Sequence, residues 1–229
     1  MESQEKQITL FEWEPSSPHV RVDAIVRFPD IVLSLFEQSG YASLYWRCAG
    51  YQVIQVDTKL GIDIMNWDYK ALDKNRVIGI MAFPPCTHFS NSGAQYWAEK
   101  DKDGRTVENV KLVEKALEII NYFEPGWWFI ENPVGRIAKL VPELQNFGPF
   151  YFHPFQYGDP WKKKTALYGK FRPPKKNVVT PIQRIASNGD KYSPIYMSTG
   201  GKSKKTKMIR SVTPKGFAKA FYEANSKVT

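Results

Sequence analysis

The chain has 229 residues, 42% of them hydrophobic and 14% aromatic, enough for one sizeable α/β domain with a modest addition and too few for two comfortable domains. A formal net charge of +9 favours a polyanionic partner such as nucleic acid, although a basic surface that serves solubility alone gives the same number. Cys48 and Cys86 are the only cysteines and form no Cys-x-x-Cys pair, which excludes a disulfide framework and points to a reducing compartment.

Residues 1–28 are polar, contain Pro15 and Pro18, and read as a tail. They hold no apolar core long enough for a signal peptide, and no later run reaches membrane-spanning length, so a soluble, cytoplasmic protein is expected. Residues 31–36, IVLSLF, read as a buried strand. A turn at Ser39-Gly40 follows, then a helix over Tyr41–Ala49 stopped at Gly50. QVIQV at 52–56 gives a second strand ending at Asp57, and VIGIMAF at 77–83 a third. Pro84 and Pro85 end the third strand, because proline fixes φ and donates no backbone hydrogen bond. Ser90 to Arg105, with NSG and DKDG, reads as a flexible or ordinary surface loop. Val110, Val113, Ala116, Leu117 and Ile120 then recur at helical spacing, predicting an amphipathic helix over 106–123 with Thr106 and Asn109 as an approximate capping box. Pro125-Gly126 stops it, and Trp127–Ile130 gives a fourth strand ending at Glu131-Asn132-Pro133.

Strands alternating with helices predict an α/β fold with a doubly wound, mostly parallel sheet. Beyond Pro149 the positive charge concentrates in WKKKTALYGKFRPPKK and GKSKKTKMIR, and FAKAFYEAN predicts a short C-terminal helix. The expected organisation is a tail over 1–28 and a single domain over 29–229 with a short basic insertion near 170–208.

Three strand ends carry unusual polar residues: Asp57, Cys86, and Glu131 with Asn132. In a doubly wound sheet these ends share one edge and can face a common cleft. An acid after the second strand can bind ribose hydroxyls, while a cysteine on a stiff loop and a nearby carboxyl can act on a neighbouring substrate. Taken singly, Pro-Cys and Glu-Asn-Pro are also ordinary structural features. Cys48, on the first predicted helix, reads as core packing. His19, His88 and His153 lack zinc-ligand spacing, so no metal site is expected. A Cys-x5-Arg phosphatase is disfavoured because residue 92 is Ser.

FPPC followed by a helix and WWFIENP resembles the paired prolyl-cysteine and Glu-Asn motifs of the cytosine carbon-5 DNA methyltransferases. IVLSLFEQSG is similar to that family's cofactor strand and loop, QVIQVD to its ribose-binding strand, and GIDI to its adenine-side acid. YGDPWKKKTALYG resembles the family's tyrosine-glycine-x-proline segment, and RSVTPKGFAKAF its late arginine-x-x-threonine-proline segment. The resemblance implies a methyltransferase-like Rossmann fold and transfer of a methyl group from S-adenosylmethionine, or a modified relative, to cytosine in DNA. It implies Cys86 as nucleophile, Glu131 as proton donor at ring nitrogen 3, Asn132 shaping the loop, and Lys163 standing near where the family has an arginine. Leu35, Phe36, Gly40, Asp57, Asp63, Ile64, Pro84 and Pro85 would surround the cofactor. Ser90, Lys162, Lys164, Thr165, Lys170, Arg172, Lys175 and Lys176 would contact DNA, phosphates above all.

The chain departs from the family in its first loop, which keeps Leu-Phe and one glycine, and in its short span between YGDPWKKKTALYG and RSVTPKG. A full target-recognition domain does not fit there. Modification of a free nucleotide, transfer of a group other than methyl, and a catalytically silent DNA-binding protein remain alternatives. Gln7, Leu10 and Phe11, within QITLF, resemble a peptide that docks on the replicative sliding clamp. The same apolar residues can instead pack back on the domain. A monomer is expected.

Overall fold

A computed structural model describes residues 29–185, 187, 189, 191–196 and 203–226. The tail and its candidate clamp peptide at Gln7, Leu10 and Phe11 lie outside the described residues. In chain order the elements are β1 (Ile31–Leu35), α1 (Leu44–Cys48), β2 (Gln52–Val56), β3 (Val77–Ala82), α2 (Trp97–Lys102), α3 (Arg105–Phe123) and β4 (Trp127–Pro133). There follow α4 (Ile137–Leu140), β5 (Phe150–Phe152), β6 (Thr165–Lys170), the short hairpin β7 (Arg184–Ile185) and β8 (Lys191–Tyr192), α5 (Lys204–Ser211) and α6 (Lys215–Asn225).

Six strands form one sheet in the order β2-β1-β3-β4-β6-β5. The pairings β1–β2, β1–β3 and β3–β4 are parallel, whereas β6 lies antiparallel between β4 and β5. The order runs outward from β1 in both directions, so the crossover switches sides between β1 and β3 and opens a crevice at the strands' carboxyl ends.

Alternation along the strands sorts their side chains onto two covered faces. Ile31, Leu33, Leu35, Ile80 and Ile130 pack with Val113, Ala116 and Ile120 of α3. Val32, Met81, Trp127 and Phe129 pack on the other face with Trp46 of α1 and with Phe217 and Phe221 of α6. Gly79 is required on β3, because a Cβ there would lie 2.0 Å from the Trp127 ring, which itself stacks on Trp46 at 4.6 Å. The same alternation sends Glu131 toward the face of Trp127 and Phe129, and Asn132 toward the α3 face.

Several elements differ from the sequence reading. The first helix is shorter, Leu44–Cys48, and Cys48 is exposed rather than packed in the core. β1 ends one residue early because Phe36 turns left-handed at φ 59°. Ser90 to Arg105 is not an irregular loop: Asn91–Tyr96 forms a 3-10 helix that continues into α2. Gly104, not Thr106, caps α3. Thr106 is buried, and its hydroxyl accepts a hydrogen bond from Arg136. β5, β6 and α5 were not expected; β6 is recognisable only through its partners, since TALYGK has no clear alternation of its own. Among the described residues no helix is long and apolar enough to cross a membrane.

Candidate active site

Cys86 starts a 3-10 turn, Cys86–His88, immediately beyond the Pro84-Pro85 stop. Pro84 is buried and Pro85 exposed, so the chain leaves the sheet in a fixed direction and presents Cys86 at the surface. The Cys86 carbonyl accepts hydrogen bonds from the backbone N–H groups of Phe89 (3.1 Å) and Ser90 (3.0 Å), closing the turn. Glu131 lies near the end of the neighbouring strand, with its side chain 18% exposed and Lys163 Nζ 3.9 Å from Oε1. Lys163 Nζ also donates to the Arg210 carbonyl at 2.8 Å, which ties the end of α5 to this corner. Glu131, Lys163 and Thr165 share a small cavity with Phe83, Thr213 and Phe217.

The charges here are coupled. Burial pushes the Glu131 carboxyl up, and the Lys163 ammonium only partly opposes it. Although the residue as a whole is exposed, the protein crowded around the Cys86 thiol pushes it up, as does the neighbouring Glu131 carboxylate, while Lys163 and Arg210 pull it down. Ionising both groups places two like charges in one desolvated corner, so a proton on Glu131 favours the thiolate of Cys86. The arrangement can therefore offer a nucleophile and an acid together.

At the carboxyl ends of β1 and β2 a second group of residues converges. Glu37 is 5% exposed, and its carboxylate accepts from the hydroxyls of Ser34 and Ser39 and, at 3.4 Å, from Gln55 Nε2. Gln55 in turn accepts from Arg47 at 2.7 Å. This network ties the loop after β1 to Gln55 of β2, while Gly40 keeps a positive φ of 71°. Asp57 Oδ1 accepts from the Lys59 N–H at 2.8 Å, leaving its other oxygen for a hydroxyl partner. Asp63 is exposed and accepts from the Met65 N–H and from Asn66 Nδ2.

The structure brings together Cys86, Glu131 and Lys163, with Lys162 and Lys164 exposed on either side of Lys163. It does not bring Asn132 to the same face: the side chain is fully buried on the α3 side, with neither amide atom hydrogen-bonded among the described residues. Leu35 and Ile64 are core residues and offer a ligand no exposed side chain. Thr165 is 2% exposed, which does not suit a phosphate contact. Lys170 pairs with Trp128 at the amino end of β4, about 16 Å from Thr165 at 3.3 Å per residue. Arg172, bonded to Asn225 at the end of α6, lies beyond it. Lys175 and Lys176 are exposed just before Asn177, which returns to Gln156. Ser90 bridges to Gly135 rather than standing free. Sequence reasoning missed Arg210 and Arg136. The first sits in the arginine-x-x-threonine-proline segment that was noticed as a whole; the second has no motif of its own.

Strand order, the reversed β6 and the carboxyl-end crevice define a Rossmann-like, mostly parallel α/β fold. No family model matches the sequence. The chain is 28% identical over 205 residues to a probable DNA (cytosine-5)-methyltransferase of Frog virus 3 (isolate Goorha), covering 80% of this chain and 94% of the relative. The resemblance to the cytosine carbon-5 DNA methyltransferases thus extends over most of the chain. Among solved structures, a candidate DNA modification methyltransferase encoded within an E. coli prophage gives a TM-score of 0.46 at 18% identity. The match covers 66% of this chain and 53% of that one, so the chain spans about half the length of that protein. The Entamoeba histolytica methyltransferase EhMeth gives 0.42 at 14% identity, over 79% of this chain and 62% of its own.

Proposed function

We propose that the protein methylates cytosine at carbon 5 in DNA, through Cys86 acting with Glu131. The observation that carries this reading is the meeting of a turn-held thiol, a half-buried carboxyl of raised pKa and a lysine at the ends of adjacent strands.

Carbon 5 of cytosine is a weak nucleophile until electrons are pushed into the ring. The Cys86 thiolate would add to carbon 6, forming a carbon–sulfur bond and sending the ring's electrons toward nitrogen 3. Protonated Glu131 would supply the proton there and disperse the charge, the role that its burial prepares. Once carbon 5 is alkylated, a base would take its hydrogen, the nitrogen 3 proton would return to Glu131, and the carbon–sulfur bond would break to restore the ring and the Cys86 thiolate. Lys163 would keep the corner electropositive, although an ammonium lacks the planar fork of an arginine.

The residues present fit S-adenosylmethionine. Among the described residues one Asp57 oxygen has no partner and could take the ribose diol, and Phe36 has a half-buried ring for adenine, while the Glu37 carboxylate is taken up by Ser34, Ser39 and Gln55. The group supplies an electrophilic methyl when bound. Because carbon 6 is hidden in a duplex, the base would have to leave the stack. Lys162 and Lys164, both exposed beside Lys163, would hold the flanking phosphates. The N-terminal peptide is proposed as a tether to a sliding clamp. Incubation with S-adenosylmethionine labelled in its methyl group and duplex DNA, single-stranded DNA or deoxycytidine nucleotides tests the reading. Label in 5-methylcytosine of DNA is expected; label confined to nucleotides, or none, overturns it.

A further inference from the structure

Arg136 lies five residues beyond Glu131 and belongs to none of the groups described so far. Its side chain is 11% exposed, yet it reaches three separate stretches of chain. Nη1 and Nη2 donate to the two oxygens of Asp101 at 2.7 Å each, a bidentate pair with α2. Nη2 also donates to the Thr106 hydroxyl at 3.1 Å, in the first turn of α3. Nε donates to the His88 carbonyl at 3.0 Å, and the guanidinium lies over the Trp97 ring at 4.5 Å.

The backbone of the same residue makes a second grip. The Arg136 N–H donates to the Phe89 carbonyl at 2.8 Å, and the Asn91 N–H donates to the Val134 carbonyl at 3.0 Å. Gly135 between them passes so close that a Cβ would lie 1.8 Å from the Phe89 oxygen. One residue therefore holds two consecutive carbonyls, those of His88 and Phe89, in the turn that Cys86 begins. At the other end it is joined by a short covalent path to Glu131.

We infer that Arg136 is a positioning residue that fixes the Cys86 turn against the end of β4, and so sets the placement of the thiol relative to Glu131. The inference rests on the proposed cytosine chemistry of those two residues. A guanidinium suits the task because five N–H donors in a rigid plane can serve a carboxylate, a hydroxyl and a carbonyl at once. A lysine at this position carries its three donors on a single atom and has no fork, so it cannot span all three partners. Displacing a reacting atom by about 1 Å costs on the order of 100-fold in rate even when binding is intact.

The test follows formation of the denaturation-resistant adduct on 5-fluorocytosine DNA with S-adenosylmethionine, for wild type, Arg136→Lys, Arg136→Ala and Asp101→Asn, each also assayed for DNA and cofactor affinity. The expected result is a rate falling about 100-fold in Arg136→Ala and about 10-fold in Arg136→Lys and Asp101→Asn, with both affinities within about twofold. In a Glu131→Gln background, Arg136→Ala should add little further loss, because the placement it enforces no longer matters. Adduct rates equal to wild type in Arg136→Lys and Asp101→Asn, or rate losses matched by equal losses of affinity, overturn the inference. Independent losses that multiply fully in the double variant overturn it as well. If wild type forms no adduct, the failure belongs to the proposed cytosine chemistry and not to Arg136.

Discussion

Replacing Glu131 with glutamine should make the protein more stable and less active at the same time. Taking a carboxylate out of water costs several kcal/mol. Lys163 returns part of this: at 3.9 Å the attraction is worth about 4 kcal/mol at an effective dielectric of 20, and about 1 in water-like screening. No hydrogen bond to the carboxylate supplements it among the described residues, so burial wins and the proton is retained to higher pH than in an unfolded chain. A carboxyl raised in this way contributes its full stability below the unfolded value, about 4.3, and loses it as pH rises through the folded value. The amide variant has nothing to ionise. Its stability advantage should therefore widen by about 1.4 kcal/mol for each pH unit between those two values, then level off. Urea unfolding of both proteins from pH 4 to 9 measures this directly. Turnover should fall 100- to 1,000-fold, the usual cost of removing one donor from a site of developing charge. A stability difference that does not change with pH would refute the argument that burial dominates at Glu131.

Lys163→Met should slow adduct formation and move the acid limb of its pH profile upward, because Lys163 pulls the Cys86 thiol down; a profile that stays in place contradicts the coupling. Gly79→Ala should destabilise the fold by about 1–3 kcal/mol through overpacking, since its Cβ meets the Trp127 ring at 2.0 Å; chemical denaturation with little loss would mean that the ring moves freely. Lys162→Ala and Lys164→Ala should each weaken DNA binding and lower its salt dependence by about one counterion, whereas Lys170→Ala, at the far end of the sheet, should do neither. Equal effects at all three positions in a binding titration would contradict the placement of DNA over the carboxyl ends.

The four parallel strands were readable because each is a short apolar run ended by an unmistakable breaker or polar residue: Asp57 after QVIQV, two prolines after VIGIMAF, and Glu131-Asn132-Pro133 after WWFI. α3 was readable from its periodicity. β6 was not, because what makes it a strand is antiparallel pairing with β4 and β5 on either side. The helical turns between Ser90 and Arg105 were hidden by their glycines and charges; Arg136 and Asp101, thirty-five positions apart in sequence, hold α2 in place. Of the candidate site, the cysteine and the glutamate were legible from type, order and strand position, whereas Lys163 was reached only through the segment that resembles the family's, with Lys164 as its alternative. That Asn132 faces the other core was also implicit in the two-residue alternation of β4, once the strand was extended through Pro133. The roles of Arg136 and Arg210 were not legible, because each acts through a backbone carbonyl or a neighbour distant in sequence.

The central claim is that Cys86 forms a covalent bond to cytosine carbon 6. The most direct measurement is mass spectrometry of the complex formed by wild type and Cys86→Ala with 5-fluorocytosine duplex DNA and S-adenosylmethionine, digested and mapped to the linked peptide. The account predicts a single linkage at the peptide FPPCTHFS in wild type and none in Cys86→Ala. A linkage at another residue, or adducts of equal yield in both proteins, would contradict it.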